Sequence, residues 1–514
     1  MNEEVRLADL LAAMSLISDM GLGLPPENAM RSCLMGAALA RVINLDESEV
    51  ADVFYTSLLQ HIGCTGYAHE TYLVWLDDIA ANRAARRTNF ADPKDLFKSY
   101  LPTLTHGMST GQRARIAAHF VTQGPGFLKR FTTATCEVAA QTARRLELPE
   151  GVQRGLHEVF EWWNGRGAPK GLKGEDIALV GRVAYVAGTA TEHNVLGGPE
   201  FAVEAVRRRS GTIFDPDIAD AFVSHAAELL EEASRGDPSR RVLDVEPEPH
   251  RFISEAQLPN VAAVFGDIAD LKMPFTHGHS AGVAALARAG GEKLGLGSST
   301  LLQLEIASFL HDLGRIGVPD SVWEKSGELT TGDWEQIRLH PYHSERILSC
   351  SPILEPMAFI GGRHHERMDG SGYHRGSKGG EIPVAARVLA VADALQAMTQ
   401  SRPHRDARNV DEVAEQLQRD TKAGRFEPDV VAAVVDAAGG SLEIRRGLLP
   451  AGLSDREVEV LRLVAQGLSN REVARHLYIS PRTAEHHVQH IYTKIGASSR
   501  AAAALFAMEH GLVS

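Results

Sequence analysis

The sequence predicts an all-α protein built from several helical domains. Apolar residues recur at three- and four-residue spacing in stretches such as 305–310, 384–398 and 410–417, whereas the alternation typical of strands is scarce. Near the C-terminus, Ser454 and Ser469 are each followed three residues later by glutamate, the pattern of a capped helix start. At 514 residues the chain is too long to fold around a single hydrophobic core of ordinary size, so we expect two to four domains.

Composition narrows the class of protein further. A formal net charge of -13 argues against a protein that coats nucleic acid non-specifically, although one small DNA-reading domain is compatible with it. The acidic start and the lack of an apolar run of about 20 residues predict a cytoplasmic protein with no membrane segment. Four scattered cysteines without CxxC spacing predict buried thiols and no disulfide.

An internal repeat organises the first 440 residues. The glycine pattern of 164–167, continuing through Arg182 and Ala187, reappears at 369–372, Arg387 and Ala392 with its spacing kept. The sequence therefore predicts the same helical domain twice. We place the first domain at 1–235, a linker at 236–260, the second domain at 261–438, another linker at 439–452 and a small domain at 453–514.

The two copies differ where chemistry is expected. Gln60-His61 stands in place of His311-Asp312, Val159-Phe160 in place of His364-His365, and Gly188 in place of Asp393. The first copy therefore lacks the ligands for the same metals. It is either a decayed duplicate that serves packing or dimerisation, or a sensory half that still binds a small molecule.

The second copy carries a set of hard metal ligands. The histidines and carboxylates expected to lie in helical, apolar surroundings are His279, His311, Asp312, His340, His364, His365 and Asp393. Imidazoles and carboxylates without cysteine form an N/O ligand set, which suits manganese, iron, zinc or cobalt. Metals held in this way are suited to activating water.

The motifs around these ligands resemble those of the HD-GYP phosphodiesterases. The matching segments are 311–319, the His340-Pro341 pair, 364–373 and 391–394. The resemblance implies hydrolysis of cyclic di-GMP or a related cyclic dinucleotide at two divalent ions, with Mn or Fe favoured. His279, His311, Asp312 and Asp393 would hold one ion, and His340, His364 and His365 the other, with Asp312 bridging them as the catalytic carboxylate.

Further roles follow from the same resemblance. Arg315 takes the place of the usual lysine and is predicted to act in catalysis and in phosphate binding, together with the substrate contacts Tyr373, Arg402 and Arg405. Phe275 stands where some relatives have a glutamate for a third ion, which predicts two ions here. His374 replaces the proline of the GYP signature, and this substitution affects loop shape and substrate preference.

The C-terminal segment resembles the LuxR-type helix-turn-helix domain. The matching stretches are 456–461, 467–474 and 479–483, and the caps predict four short helices. The third helix would enter the major groove of double-stranded DNA. The resemblance and the helical spacing assign DNA contacts to Arg482, Thr483, Glu485, His486, Gln489 and Lys494, and such small readers usually act as homodimers.

The combined interpretation is a bacterial transcriptional regulator in which a cyclic dinucleotide phosphodiesterase domain is coupled to DNA binding. The alternative is a transcription factor whose HD-GYP domain is a receptor that binds the nucleotide without hydrolysing it. The intact ligand set favours the enzyme, while His374 and the fused DNA reader favour the receptor.

Overall fold

The computed structural model describes residues 4–325, 327–402, 405–441 and 449–513. Contacts divide the chain into two compact units, one of Met1–Ile253 with Pro319–Ser321 and the other of Ser254–Val318 with Val322–Ser514. The predicted all-α class is confirmed. Over the described residues the strands are two segments of three residues each, β1 and β2, and the other regular elements are helices. Over the same ranges, no helix combines the length and apolar character needed to cross a bilayer.

The first unit consists of helices around an apolar core, together with one short strand pair. Its elements are β1 (Glu4–Arg6), α1 (Leu7–Gly21), α2 (Asn28–Val42), α3 (Glu47–Leu59), α4 (Ala68–Trp75), α5 (Asp78–Arg86), α6 (Pro93–Asp95), α7 (Leu101–Leu104), α8 (Thr110–Arg145), α9 (Glu150–Glu158), α10 (Leu179–Gly197), α11 (Pro199–Arg209), α12 (Pro216–Ser224), α13 (Ala226–Ser234), α14 (Pro238–Val245) and β2 (Phe252–Ser254). Local signals set several starts: Asp46 forms a capping box with Glu49 at α3.

The segment 236–260, predicted to be a linker, is structured. It contains α14 and β2, and Val242 of α14 is fully buried. Glu246, which follows α14, accepts hydrogen bonds from Arg6 and Tyr55. A Pro-rich, polar sequence therefore closes the first unit here, because its few apolar and charged side chains find partners near the N-terminus.

The second unit repeats much of this order. Its helices are α15 (Leu258–Asp270), α16 (His279–Lys293), α17 (Ser298–Leu310), α18 (Asp320–Trp323, whose first two residues belong to the first unit), α19 (Thr331–Leu348), α20 (Glu355–Gly361), α21 (Val384–Thr399), α22 (Val410–Lys422), α23 (Pro428–Ser441), α24 (Asp455–Ala465), α25 (Asn470–His476), α26 (Pro481–Ile495) and α27 (Arg500–Glu509). The predicted linker 439–452 includes residues 442–448, which lie outside the described residues.

Matching contacts relate α1, α2, α3, α8, α9 and α10 to α15, α16, α17, α19, α20 and α21. The Asp19 carboxylate accepts from the N–H of Ala29 at 3.0 Å, and Asp270 accepts from the N–H of Ser280 at 2.8 Å. A Cβ on Gly63 would lie 2.1 Å from the Thr135 carbonyl oxygen. The same contact recurs at 2.1 Å between Gly314 and the His340 carbonyl. Asn28 and Thr135 thus occupy the places of His279 and His340.

The last four helices listed above follow the caps read from the sequence. The Ser454 and Ser469 side chains each accept from the N–H of a glutamate three residues on, forming the predicted capping boxes. Ser480 caps α26 by accepting from the N–H of Thr483 at 3.0 Å, with proline at the first helical position. Gly496, with φ of 67°, ends α26 in the left-handed conformation that glycine adopts without strain.

Candidate metal centre

Five helical segments of the second unit bring the predicted ligands together. His279 is the first residue of α16, His311 follows the last residue of α17, and His340 and Asp393 lie within α19 and α21. His364 and His365 lie in the turn after α20, so their expected helical setting is wrong. Because α20 ends at Gly361, the two histidines follow it in a turn, which still places both beside His340.

The Asp312 carboxylate lies at the middle of the cluster. Its Oδ2 atom is 3.1 Å from His311 Nε2 and 3.6 Å from His279 Nε2. His279 Nε2 is also 3.2 Å from Asp393 Oδ1. These four residues therefore place one donor atom each within 4.8 Å of the others, and all four are buried.

The other oxygen of Asp312 faces a second group. Its Oδ1 atom is 3.4 Å from His340 Nε2 and 3.5 Å from His364 Nε2. His340, His364 and His365 also place one donor atom each within 4.8 Å of the others. The carboxylate is thus divided between two sets of imidazoles, as expected for a bridging ligand.

Backbone carbonyls fix the orientation of three imidazoles. The Nδ1 atoms of His311, His340 and His364 lie 2.7, 2.6 and 2.7 Å from carbonyl oxygens of their own segments, at Ser308, Ile337 and Gly361. His279 differs, because its Nδ1 atom is 3.0 Å from Oε1 of the Gln400 side chain. A proton held on each Nδ1 leaves the corresponding Nε2 as the donor facing the cluster.

The charge states of Asp312, His340 and His365 favour metal binding at neutral pH. Burial alone would raise the pKa of Asp312, but Arg315 and His311 outweigh it and hold the pKa well below its usual value. Burial lowers the pKa of His340 to about 4 and, with the neighbouring imidazoles, that of His365 well below its usual value. Ionised carboxylate and neutral imidazoles are the forms that coordinate metals.

The donor atoms fit divalent ions. His311 Nε2 and both Asp312 carboxylate oxygens are buried and form no well-directed hydrogen bond among the described residues, although Arg315 Nε lies 2.9 Å from Asp312 Oδ2. Burying a carboxylate in this way is costly unless something compensates its charge. An N/O donor set of this kind suits divalent metal ions, which would compensate the buried charge.

The predicted substrate residues differ in where they lie. Arg315 places Nε 2.9 Å from Asp312 Oδ2, and its guanidinium lies over the Trp323 ring. The Tyr373 ring packs against His365, with centroids 4.7 Å apart. Burial, followed by the nearby Arg315, lowers the pKa of Arg402 to about 10, whereas the Arg405 guanidinium donates to the Ala397 carbonyl. Arg402 therefore interacts electrostatically with residues of the cluster, whereas Arg405 does not do so among the described contacts.

The GYP-like loop is held by contacts that the sequence did not predict. A Cβ on Gly372 would lie 2.5 Å from the backbone nitrogen of Arg367, so this position requires glycine. His374 Nε2 is 3.7 Å from the Glu345 carboxylate, and Arg375 donates to the same group at 2.9 Å. The loop is thus tied to α19, the helix that carries His340.

The candidate DNA-reading helix, α26, presents most of the predicted residues to solvent. Arg482, Thr483, Glu485, His486 and Gln489 are exposed, while Ala484, Val488 and Ile491 are buried beneath them. The Lys494 ammonium group donates to Glu457 at 2.8 Å and to the Gly452 carbonyl at 3.0 Å, and its predicted DNA contact stays a prediction.

Comparisons with known proteins agree with this geometry. Residues 263–430 match the HD domain family, and residues 451–507 match the bacterial regulatory proteins of the luxR family. The chain joins an HD domain to a LuxR-type domain. A 3'3'-cGAMP-specific phosphodiesterase 3 of Vibrio cholerae is 29% identical over 434 residues, covering 84% of this chain and 94% of that protein.

Two further likenesses concern the HD domain and the wider chain. A cyclic di-GMP phosphodiesterase of Thermotoga maritima is 38% identical over 161 residues, covering 31% of this chain and 43% of that protein. The crystal structure of a cyclic GMP-AMP-specific phosphodiesterase from V. cholerae aligns with a TM-score of 0.57 at 26% identity, covering 88% of this chain and 100% of that one. The predicted HD and LuxR-type domains are borne out by the family matches, and the relatives named as phosphodiesterases agree with the predicted enzyme class.

Sequence reasoning missed several residues that support the HD domain site. Gln400 contacts His279, and Asp270 accepts from both the N–H and the hydroxyl of Ser280, at 2.8 Å each, next to that histidine. Trp323 lies beside Arg315 and has its ring centroid 5.8 Å from that of His340. These residues belong to no motif, and their only sequence signal is proximity to a ligand along the chain.

Proposed function

We propose that the HD domain hydrolyses a cyclic dinucleotide, with cyclic di-GMP and 3'3'-cGAMP as the candidate substrates. The observation that carries this proposal is the Asp312 carboxylate, whose two oxygens face separate groups of buried imidazoles. Two ions held there would supply an activated water and neutralise charge on a phosphodiester. The named relatives act on these two nucleotides, which supports the substrate class.

The protein's own groups would position the substrate. His279, His311, Asp312 and Asp393 would hold one ion, and His340, His364 and His365 the other. Arg315 and Arg402 bring two cationic groups close to the cluster, where they can bind phosphate oxygens. Tyr373 offers an aromatic face beside His365, on which a base or ribose can pack.

We propose further that this domain controls DNA binding by the LuxR-type domain. His277, which precedes the ligand His279 by two residues, has its Nδ1 atom in hydrogen-bond contact with the carbonyl of Ala465 at the end of α24. The Pro274 ring lies against Gly467, where a Cβ would approach within 2.7 Å. Changes at His279 therefore have a direct contact route to the DNA reader.

The first experiment separates the enzyme from the receptor. Full-length protein loaded with Mn²⁺ or Fe²⁺ is incubated with cyclic di-GMP or 3'3'-cGAMP, and linear dinucleotide is quantified. Product formation that is lost in Asp312→Ala supports the enzyme. Binding of either nucleotide with no product above the Asp312→Ala level would support the receptor instead. Metal analysis is expected to give two ions per chain, and three would contradict the inference drawn from Phe275.

The second experiment tests the coupling. Operator affinity, measured with and without cyclic dinucleotide, should differ in the wild type, and His277→Ala should reduce the difference. His250→Ala, a change of the same type in the first unit, serves as the control. Equal operator affinity under both conditions would refute the coupling. Sedimentation with and without DNA tests the proposed homodimer.

A further inference from the structure

The first unit contains a cavity of about 700 Å³, a size typical of small-molecule sites. Its wall is unusually rich in aromatic rings, including Trp75, Phe90, Tyr100, Phe120, Phe127 and Phe160. The Trp75 ring lies 5.4 Å from Phe127 and 5.7 Å from Tyr100, both in edge-to-face arrangements. Rings that brace one another in this way form a stable apolar enclosure.

The cavity opens over the face that corresponds to the metal centre of the HD domain. Phe160, which replaces His365, lines it, as do Tyr185 and Glu192 of α10. One of the positions that match a ligand belongs to an internal ion pair. Arg86 donates to Glu192 at 3.0 Å, and His61, in the place of Asp312, lies 3.3 Å from the same carboxylate.

The charges of this ion pair neutralise each other. Burial would raise the pKa of Glu192, but Arg86 and His61 outweigh it and hold the pKa at about 2. Burial and the nearby Arg86 lower the pKa of His61 to about 4, so the imidazole is neutral at pH 7. The positive charge of Arg86 is therefore matched by Glu192, and neither group calls for a ligand.

Arg209 is the exception among the buried charges of the cavity. It lines the cavity and is 7% exposed. Its guanidinium donates only to carbonyl oxygens, to Ala205 at 2.9 Å and to Thr88 at 3.3 Å, and no carboxylate among the described residues forms an ion pair with it. A buried guanidinium is costly without a counter-ion, and a planar carboxylate is the group it binds best.

We propose that the first unit binds a small organic anion, an aromatic or otherwise largely apolar molecule with one carboxylate, whose acid group pairs with Arg209. The aromatic wall would hold the apolar body, and the exposed Lys129 and Arg166 at the edge would attract the anion. A cyclic dinucleotide carries two phosphates, whereas Arg209 is a single buried cation with no carboxylate ion pair among the described residues, so a monoanion matches the charge of the cavity better. The proposal is independent of the phosphodiesterase activity.

The probe is 1-anilinonaphthalene-8-sulfonate, an aromatic monoanion whose fluorescence reports binding to the full-length protein. We expect saturable binding of one probe per chain, displaced by 2-naphthoate but not by cyclic di-GMP. Arg209→Gln should weaken binding at least tenfold, Arg209→Lys should restore part of it, and Arg207→Gln should leave it unchanged. Arg207 is the control because it lies on the same helix and is exposed.

Two results would overturn the proposal. One is equal probe affinity for the wild type and a folded Arg209→Gln protein. The other is displacement by cyclic di-GMP at concentrations where 2-naphthoate has no effect, which would make the cavity a nucleotide site. If Arg209→Gln does not fold, the affinity of the wild type for the anionic probe is compared with its affinity for the uncharged probe N-phenyl-1-naphthylamine. The proposal then requires the anion to bind at least tenfold more tightly, and equal affinities would contradict it.

Discussion

Gln400 provides a sharp test of the metal centre, because it orients a ligand without belonging to any motif. Its side-chain oxygen lies 3.0 Å from Nδ1 of His279, and it is 9% exposed. Replacing it by leucine removes the acceptor while keeping a similar volume. The His279 ring then loses the contact that keeps its Nε2 atom directed towards Asp393.

The size of the effect follows from the role of the contact. Loss of a hydrogen bond that orients a metal ligand typically costs about 10- to 100-fold in metal affinity, or roughly 1.4–2.8 kcal/mol. His279 belongs to only one of the two ligand groups. Gln400→Leu should therefore weaken one of two metal equivalents by this factor and leave the other within about twofold of the wild type.

The assay is a chelator competition on the full-length protein with Mn²⁺ or Zn²⁺, resolved into two binding steps. Gln400→Glu, which retains an acceptor, should keep near-normal affinity. Gln418→Leu is the control, since the same change is made at an exposed position on α22. Wild-type affinity for both equivalents in a folded Gln400→Leu protein would refute the role given to this contact.

Three further predictions concern packing, pH and DNA. Gly314→Ala should lower the free energy of unfolding, measured by urea titration, by about 3 kcal/mol or more, because the new Cβ would lie 2.1 Å from the His340 carbonyl oxygen. Gly361→Ala is the control and should change this free energy little, because its Cβ would have its nearest atom at 3.7 Å. Glu192, whose pKa is depressed to about 2, should stabilise the first unit above pH 4.5 and lose this effect as the pH falls towards 2. The free energy of unfolding of the wild type should exceed that of Glu192→Gln by about 3 kcal/mol at pH 7, and thermal melts should show this difference shrinking over that pH range. Gln489→Ala should reduce discrimination between an operator and its single-base variants by about 1–3 kcal/mol in binding titrations, and unchanged discrimination would remove Gln489 from base readout.

Much of the fold was accessible from local sequence signals. The capping boxes at Ser454 and Ser469 fixed two helix starts because a serine and a glutamate three residues on satisfy each other's backbone groups. Local signals say less about segment 236–260, within which the division between the two units falls. Its composition predicts a linker, yet the long-range contacts of Glu246 with Arg6 and Tyr55 give it structure. Contacts across more than 190 residues leave no trace in local composition.

The site residues show the same division. The identities of the donor residues were readable because a metal demands imidazole and carboxylate, whatever the fold around them. Lys494 shows what the sequence could not supply, since its hydrogen bond to Glu457 joins residues 37 positions apart in the chain. The predicted DNA contacts and metal assignments remain predictions that the experiments above address.

The sequence by itself determined the all-α class, the repeat and the set of candidate metal ligands, because helix periodicity, caps and ligand chemistry are local properties. Only the tertiary structure decided how those residues are arranged. It divided the Asp312 carboxylate between two groups and placed Gln400 behind His279. It also left Arg209, in an aromatic cavity, without a carboxylate ion pair among the residues that the structure describes. These features depend on distances between segments far apart in the chain, and such distances are set by packing.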